Sequence, residues 1–160
     1  MRFTHELTYD APPDDVRQML ADRAFRQKVC GAMRSARSEV SIEDTGAGME
    51  VVVDQTQPSR GIPAFARSLV GDQIRIVQRE SWADPSGGSF TIEIPGKPVA
   101  LTGAVALAAD GAGTVQSVTG DVKVKIPMVG GKLEVLIGDM LRTALQTEQR
   151  VGRAWLAGDR

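Results

Sequence analysis

The chain opens on a strict alternation. In RFTHELTY (2–9), Phe3, His5, Leu7 and Tyr9 share one face, and Arg2, Thr4, Glu6 and Thr8 share the other. A period of two is that of a half-buried β-strand. DAPPDD (10–15) follows, with prolines suited to a first helical turn and carboxylates that complement its dipole. Val16, Met19, Leu20, Ala24 and Phe25 then recur too irregularly for one long helix. Two short helices, near 13–21 and 22–33, fit the spacing better.

Beyond residue 35 short β-like runs alternate with turn-rich tetra- and pentapeptides: DTGAG (44–48), DPSGG (84–88), PGKP (95–98) and DGAG (110–113). The runs predict strands near 36–44, 48–57, 72–82, 89–95, 99–108 and 114–126, joined as consecutive antiparallel hairpins. Each carries one apolar face. Met49, Val51 and Val53 align with Gln55. Ile74, Ile76 and Trp82 align with Gln78 and Glu80, opposite Arg75, Val77 and Arg79. Phe90, Ile92 and Ile94 follow, then Val99, Leu101, Val105 and Leu107, and last Val118, Val122, Val124 and Ile126. A sheet apolar on one face needs a cover.

The end of the chain supplies one. Leu133, Leu136, Ile137, Met140, Leu141, Ala144, Leu145 and Val151 recur at spacings of three and four, while Glu134, Asp139, Arg142, Gln146 and Arg150 lie on other faces. A helix near 130–156, ~39 Å long at 1.5 Å per residue, would cross a strongly bent sheet. The prediction is an α+β fold: a seven-stranded curved antiparallel sheet around a long C-terminal helix, with two short helices after the first strand. No repeat or linker divides residues 1–160, which are read as a single domain.

Composition narrows the function classes. Lys and Arg number 19 and Asp and Glu 20, a net charge of −1, without the basic excess of a nucleic-acid protein. One cysteine, Cys30, allows no internal disulfide, and one histidine with it makes a His-ligated metal site improbable. MRFTHELTYD has neither charged leader nor apolar core, and no run reaches the ~20 apolar residues of a membrane span. The expectation is a soluble cytoplasmic protein with no cofactor, no nucleic-acid partner and no stable membrane insertion.

The order strand, two short helices, six strands, long helix resembles the helix-grip fold of the START and birch-pollen-allergen (SRPBCC) superfamily, across essentially the whole chain. YDAPPDDVRQMLAD resembles the AP-x-x-x-V-x-x-x-L-x-D run into its first helix. GDQIRIVQRESW and IPMVGGKLE are similar to stretches of a bacterial, actinobacterial-type family of unknown function within it. The resemblance implies a hydrophobic cavity between sheet and long helix. Its members bind lipids, sterols, polyketides or plant hormones, and a minority are cyclases, dehydratases or oxygenase subunits. The oxygenase ligand set is absent here.

Several residues then have two readings each. His5 is a polar anchor or acid/base in the cavity, or a histidine satisfied at the sheet margin. Gln78 and Glu80 orient a ligand if they face inward; otherwise a bulge turns Glu80 outward or an ion pair holds it. Glu148, on the inner edge of the last helix, shares that ambiguity. The stretch PSRGIPAFARSLVG (58–71), with Ile62, Phe65, Leu69 and Val70, is a short helix serving as a lid or as a satellite core cluster. Cys30 has no partner base, which favours an inert buried thiol. VGGKLE lacks the upstream glycine and following Ser/Thr of a phosphate loop.

The leading expectation is a carrier or sensor of a small hydrophobic or amphipathic, lipid- or polyketide-like molecule. Its site is Phe3, His5, Leu7, Phe65, Gln78, Glu80, Trp82, Phe90, Leu101, Ile137, Met140, Leu141 and Ala144, around a void of ~300–1,000 Å³. The alternatives are a cyclase- or dehydratase-like enzyme using His5 or Glu80 as acid/base, and a protein-interaction module using segment 62–70.

Overall fold

A computed structural model describes residues 1–160. Strand β1 (Arg2–Tyr9) leads to helices α1 (Pro13–Leu20) and α2 (Arg23–Ala32), then to β2 (Arg37–Asp44) and β3 (Met49–Pro58). After α3 (Ala64–Val70) come β4 (Gln73–Asp84), β5 (Gly87–Glu93), β6 (Val99–Asp110), β7 (Gly113–Val124) and α4 (Gly130–Leu156). All seven strands form one sheet in the order β1-β7-β6-β5-β4-β3-β2. Every neighbouring pair is antiparallel. The sheet and closing helix are those expected from the alternation, in the helix-grip arrangement that the resemblance implied.

Local chemistry explains the boundaries. Asp14 and Asp15 lie in the first turn of α1 and complement its dipole. The Asp22 carboxylate caps α2, accepting the Ala24 N–H at 2.8 Å. The sheet can coil because β6 and β7 place Gly103 opposite Gly120. A Cβ on Gly103 would lie 2.0 Å from the Thr119 carbonyl oxygen and 2.8 Å from Phe90 Cε1. Only a bare backbone allows so close an approach.

Two hydrophobic clusters fill the concave side. The larger joins α1, α2 and the C-terminal half of α4 to the sheet, with Leu7, Val16, Leu20 and Phe25 fully enclosed. There Phe25 meets Trp155 edge to face, ring centroids 5.5 Å apart. The smaller cluster joins Ile62 and Ala66, beside and within α3, to Ile74, Val124 and Leu133. On the convex side one residue departs from the expected pattern. Val77 is buried there, because Arg75 pairs with Asp54 and Arg79 with Glu93, the residues flanking Val77 across the sheet. The arginine stems roof it. No helix is long and apolar enough to cross a membrane.

Candidate functional site: a roofed cavity with a polar inner end

Between the two clusters lies a cavity of about 460 Å³, lined by 33 residues of which 23 are hydrophobic. The size falls within the ~300–1,000 Å³ of small-molecule sites. Strands β3 to β7 form its floor, and α4 forms its roof through Leu133, Leu136, Ile137, Met140, Leu141, Ala144, Leu145 and Glu148. Its exposed lining residues, Leu69, Gly96, Lys97 and Pro98, gather at α3 and the β5–β6 turn, which places the mouth there. Arg26, Glu80, Gln116 and Glu148 line the opposite end, beneath α2.

Arg26 and Glu80 form the centre of that inner end. Each is 6 % exposed. The Arg26 guanidinium donates to both Glu80 oxygens, at 2.6 and 3.0 Å, and its Nε donates to the Leu20 carbonyl at 2.8 Å. Gln78 Nε2 and Trp82 Nε1 donate to the same carboxylate at 2.6 and 2.8 Å. Each oxygen thus receives two donors, which fills the acceptor capacity of a carboxylate. Burial alone would raise the Glu80 carboxyl, but the Arg26 charge and these hydrogen bonds outweigh it and hold the group below its ordinary range. Burial acts on Arg26 in the opposite sense and is likewise outweighed by Glu80, so the guanidinium stays charged.

Glu148 is different. Burial pushes its carboxyl above the ordinary range, opposed by Arg26 and reinforced by the Glu80 charge. It accepts one long hydrogen bond, from Gln116 Nε2 at 3.4 Å. Along the floor, Gln55 Oε1 accepts from Ser35 Oγ at 2.6 Å and from Gln57 Nε2 at 3.0 Å.

Of the residues singled out in the sequence, Gln78, Glu80, Phe90, Leu101, Ile137, Met140, Leu141 and Ala144 line this cavity. Phe3, Leu7 and Trp82 do not. All three are buried in the larger cluster, off the cavity wall. Helix α4 lies close to β1, with a Cβ on Gly152 falling 2.7 Å from the Tyr9 ring, so the side chains of β1 fill the gap and leave no void. Trp82 turns toward α1, where Arg17 stacks over its ring at 5.5 Å, and reaches Glu80 only through its indole N–H. His5 also lies off the wall, half-buried beside Phe3, its imidazole lowered by burial and by Arg142. Phe65 likewise lies off the cavity wall, packed at the smaller cluster under Lys132, whose Nζ is 4.4 Å from the ring centre.

Segment 62–70 turns Ile62 and Ala66 inward and leaves Leu69 as its one exposed large apolar side chain. Cys30 is buried, and burial raises its thiol. Arg26 and Gln116 were missed from the sequence. The available signal for Arg26 was its place in the helical stripe with Val29, Cys30 and Met33. Gln116 continues the period-two face of Val118 and Val122.

Comparisons with known proteins place this geometry. Residues 4–156 match a family described as a protein of unknown function, DUF2505. Uncharacterised proteins of Mycobacterium bovis and Mycobacterium tuberculosis are 30% identical over 117 residues, covering 69% of this chain and 67% of theirs. Among solved structures, a protein of Thermus thermophilus superposes with a TM-score of 0.68 at 18% identity, over 99% of both chains. Norcoclaurine synthase from Thalictrum flavum, solved in complex with dopamine and hydroxybenzaldehyde, superposes at 0.64 with 15% identity, over 100% of this chain and 88% of that one.

Proposed function

The chain belongs to the DUF2505 family, and on that footing we propose that it binds and carries a small hydrophobic or amphipathic molecule between sheet and α4. One observation carries the reading. The space of about 460 Å³ is left open by the side chains around it, its wall is mostly apolar, and Arg26, Glu80, Gln116 and Glu148 line its inner end. An apolar body entering past α3 would bury its surface at ~25 cal/mol per Å², and its polar end would face Gln78, Gln116 and Glu148.

Carriage is favoured over chemistry because neither His5 nor Glu80, the acid/base candidates read from the sequence, is poised. Every acceptor site of Glu80 is occupied by Arg26, Gln78 and Trp82, and His5 stands off the cavity wall. A general base needs a free lone pair within reach of the proton it takes. The interaction-module reading also weakens, since segment 62–70 turns most of its apolar residues inward. Likeness to norcoclaurine synthase supports the fold, and that protein's ligands are its own. Native mass spectrometry of the protein prepared from its own host tests the reading. Retention of a small molecule of one mass, lost on partial denaturation, is expected. A bare chain that also fails to take up any apolar probe would contradict it.

A further inference from the structure

Resting on that binding reading, the geometry points to Glu148 as the seat for a carbonyl group of the occupant, held in place by Gln116 and donating a hydrogen bond to the carbonyl oxygen. Glu148 lines the cavity and is half-buried. One of its oxygens accepts the long bond from Gln116. The other accepts no hydrogen bond within the protein and, unlike Gln116 Oε1, is not fully enclosed. Gln116 itself is only 4 % exposed and is fixed on β7, so the carboxyl is presented from a rigid wall.

The surroundings decide which partner the carboxyl takes. Arg26 faces it from α2, Glu80 from β4, Tyr9 from β1 and Gln116 from β7. Arg26 already has its charge matched by Glu80. A second ionised carboxylate would be buried beside the Glu80 charge without a cation of its own, which is costly. Burial and that charge favour the protonated form of Glu148. A protonated carboxyl offers one O–H donor. The group that suits it is a neutral oxygen acceptor, and an amine cation does not.

Three probes of matched shape test this: acetylnaphthalene, ethylnaphthalene and naphthylethylamine, titrated into the wild-type protein and into Glu148→Leu and Glu148→Gln. The ratio of acetyl to ethyl affinity should fall about three- to tenfold in Glu148→Leu, while ethylnaphthalene still binds. Glu148→Gln keeps an N–H donor and should keep the ratio. The wild-type ratio should fall as pH rises through ionisation of Glu148, and that of Glu148→Gln should stay flat, which decides the matter even if Glu148→Leu does not fold. An unchanged ratio in a folded Glu148→Leu, or the same pH response in wild type and Glu148→Gln, overturns the assignment while leaving the cavity reading intact. Preferred capture of the amine, lost in Glu148→Gln, also overturns it. Failure of all three probes to bind the wild type overturns the binding reading and this assignment together.

Discussion

At the scale of single residues, the structure turns on two buried carboxyls with opposite fates. Glu80 is ionised because Arg26, Gln78 and Trp82 surround it. Arg26→Met would leave that charge unpaired in the interior, and breaking a buried pair costs about 3–5 kcal/mol. Removing both partners, as in Arg26→Met with Glu80→Leu, should recover much of the loss. Urea unfolding of the three proteins checks this, and equal destabilisation of single and double variants would contradict it. The Glu80 carboxyl is depressed in the folded state. Its contribution is therefore present above the ordinary carboxylate pKa and is lost as pH falls through the folded value.

Glu148 has the reverse sign. Its folded pKa is raised, so its relative contribution is full below the ordinary carboxylate pKa and is lost as pH rises through the folded value. Glu148→Gln should thus match the wild type near pH 4 and exceed it in stability near neutrality, read as the melting temperature across a pH series. The inward position of Glu80 was legible from the period-two alternation that also carries Ile74, Ile76 and Trp82. Its partner was not, because Arg26 sits 54 residues earlier on a helix whose docking no local pattern fixes. Glu148 was visible as the inner edge of a stripe, but its neighbours Gln116 and Arg26 come from β7 and α2.

At the scale of elements, the strands and helices were almost fully readable. The closing helix lies where its stripe of Leu, Ile and Met placed it, and the two short helices divide at Asp22, which caps the second. What could not be read was how closely each strand approaches α4. Phe3 and Leu7 share the apolar face of β1, as the alternation says, yet α4 sits so near β1 that they become packing and not cavity wall. That distance depends on the coiling of the sheet, which is set by glycines such as Gly103. Gly103→Ala should cost about 1–3 kcal/mol, as overpacking does, because its Cβ would collide with the Thr119 carbonyl and with Phe90. Gly131→Ala is the control. It meets nothing within 4 Å and lies in the first turn of α4, where alanine should be neutral or stabilising by up to about 1 kcal/mol. Thermal melts of the two variants check the contrast; equal effects would mean that the coil does not depend on Gly103.

At the scale of the molecule, α4 packs closely along β1, where Gly138 approaches Met1 and Phe3 and Gly152 approaches Tyr9, and stands away from strands β3 to β6 between the two clusters. That separation produces the cavity. A void of this size was predictable from the facing of a bent sheet and a rigid rod, and the mix of large and small inner residues agreed. Its wall and mouth were not, since they depend on where α3 and the β5–β6 turn come to rest. The proposed carriage rests on the cavity being a place where a molecule can sit. Titration of N-phenylnaphthylamine into the wild-type protein and Ala144→Trp tests that most directly, since Ala144 lies on the roof one turn from Met140. Saturable binding at one site by the wild type is predicted, with uptake abolished in a variant that still melts cooperatively. Unchanged uptake by a well-folded Ala144→Trp would contradict the account.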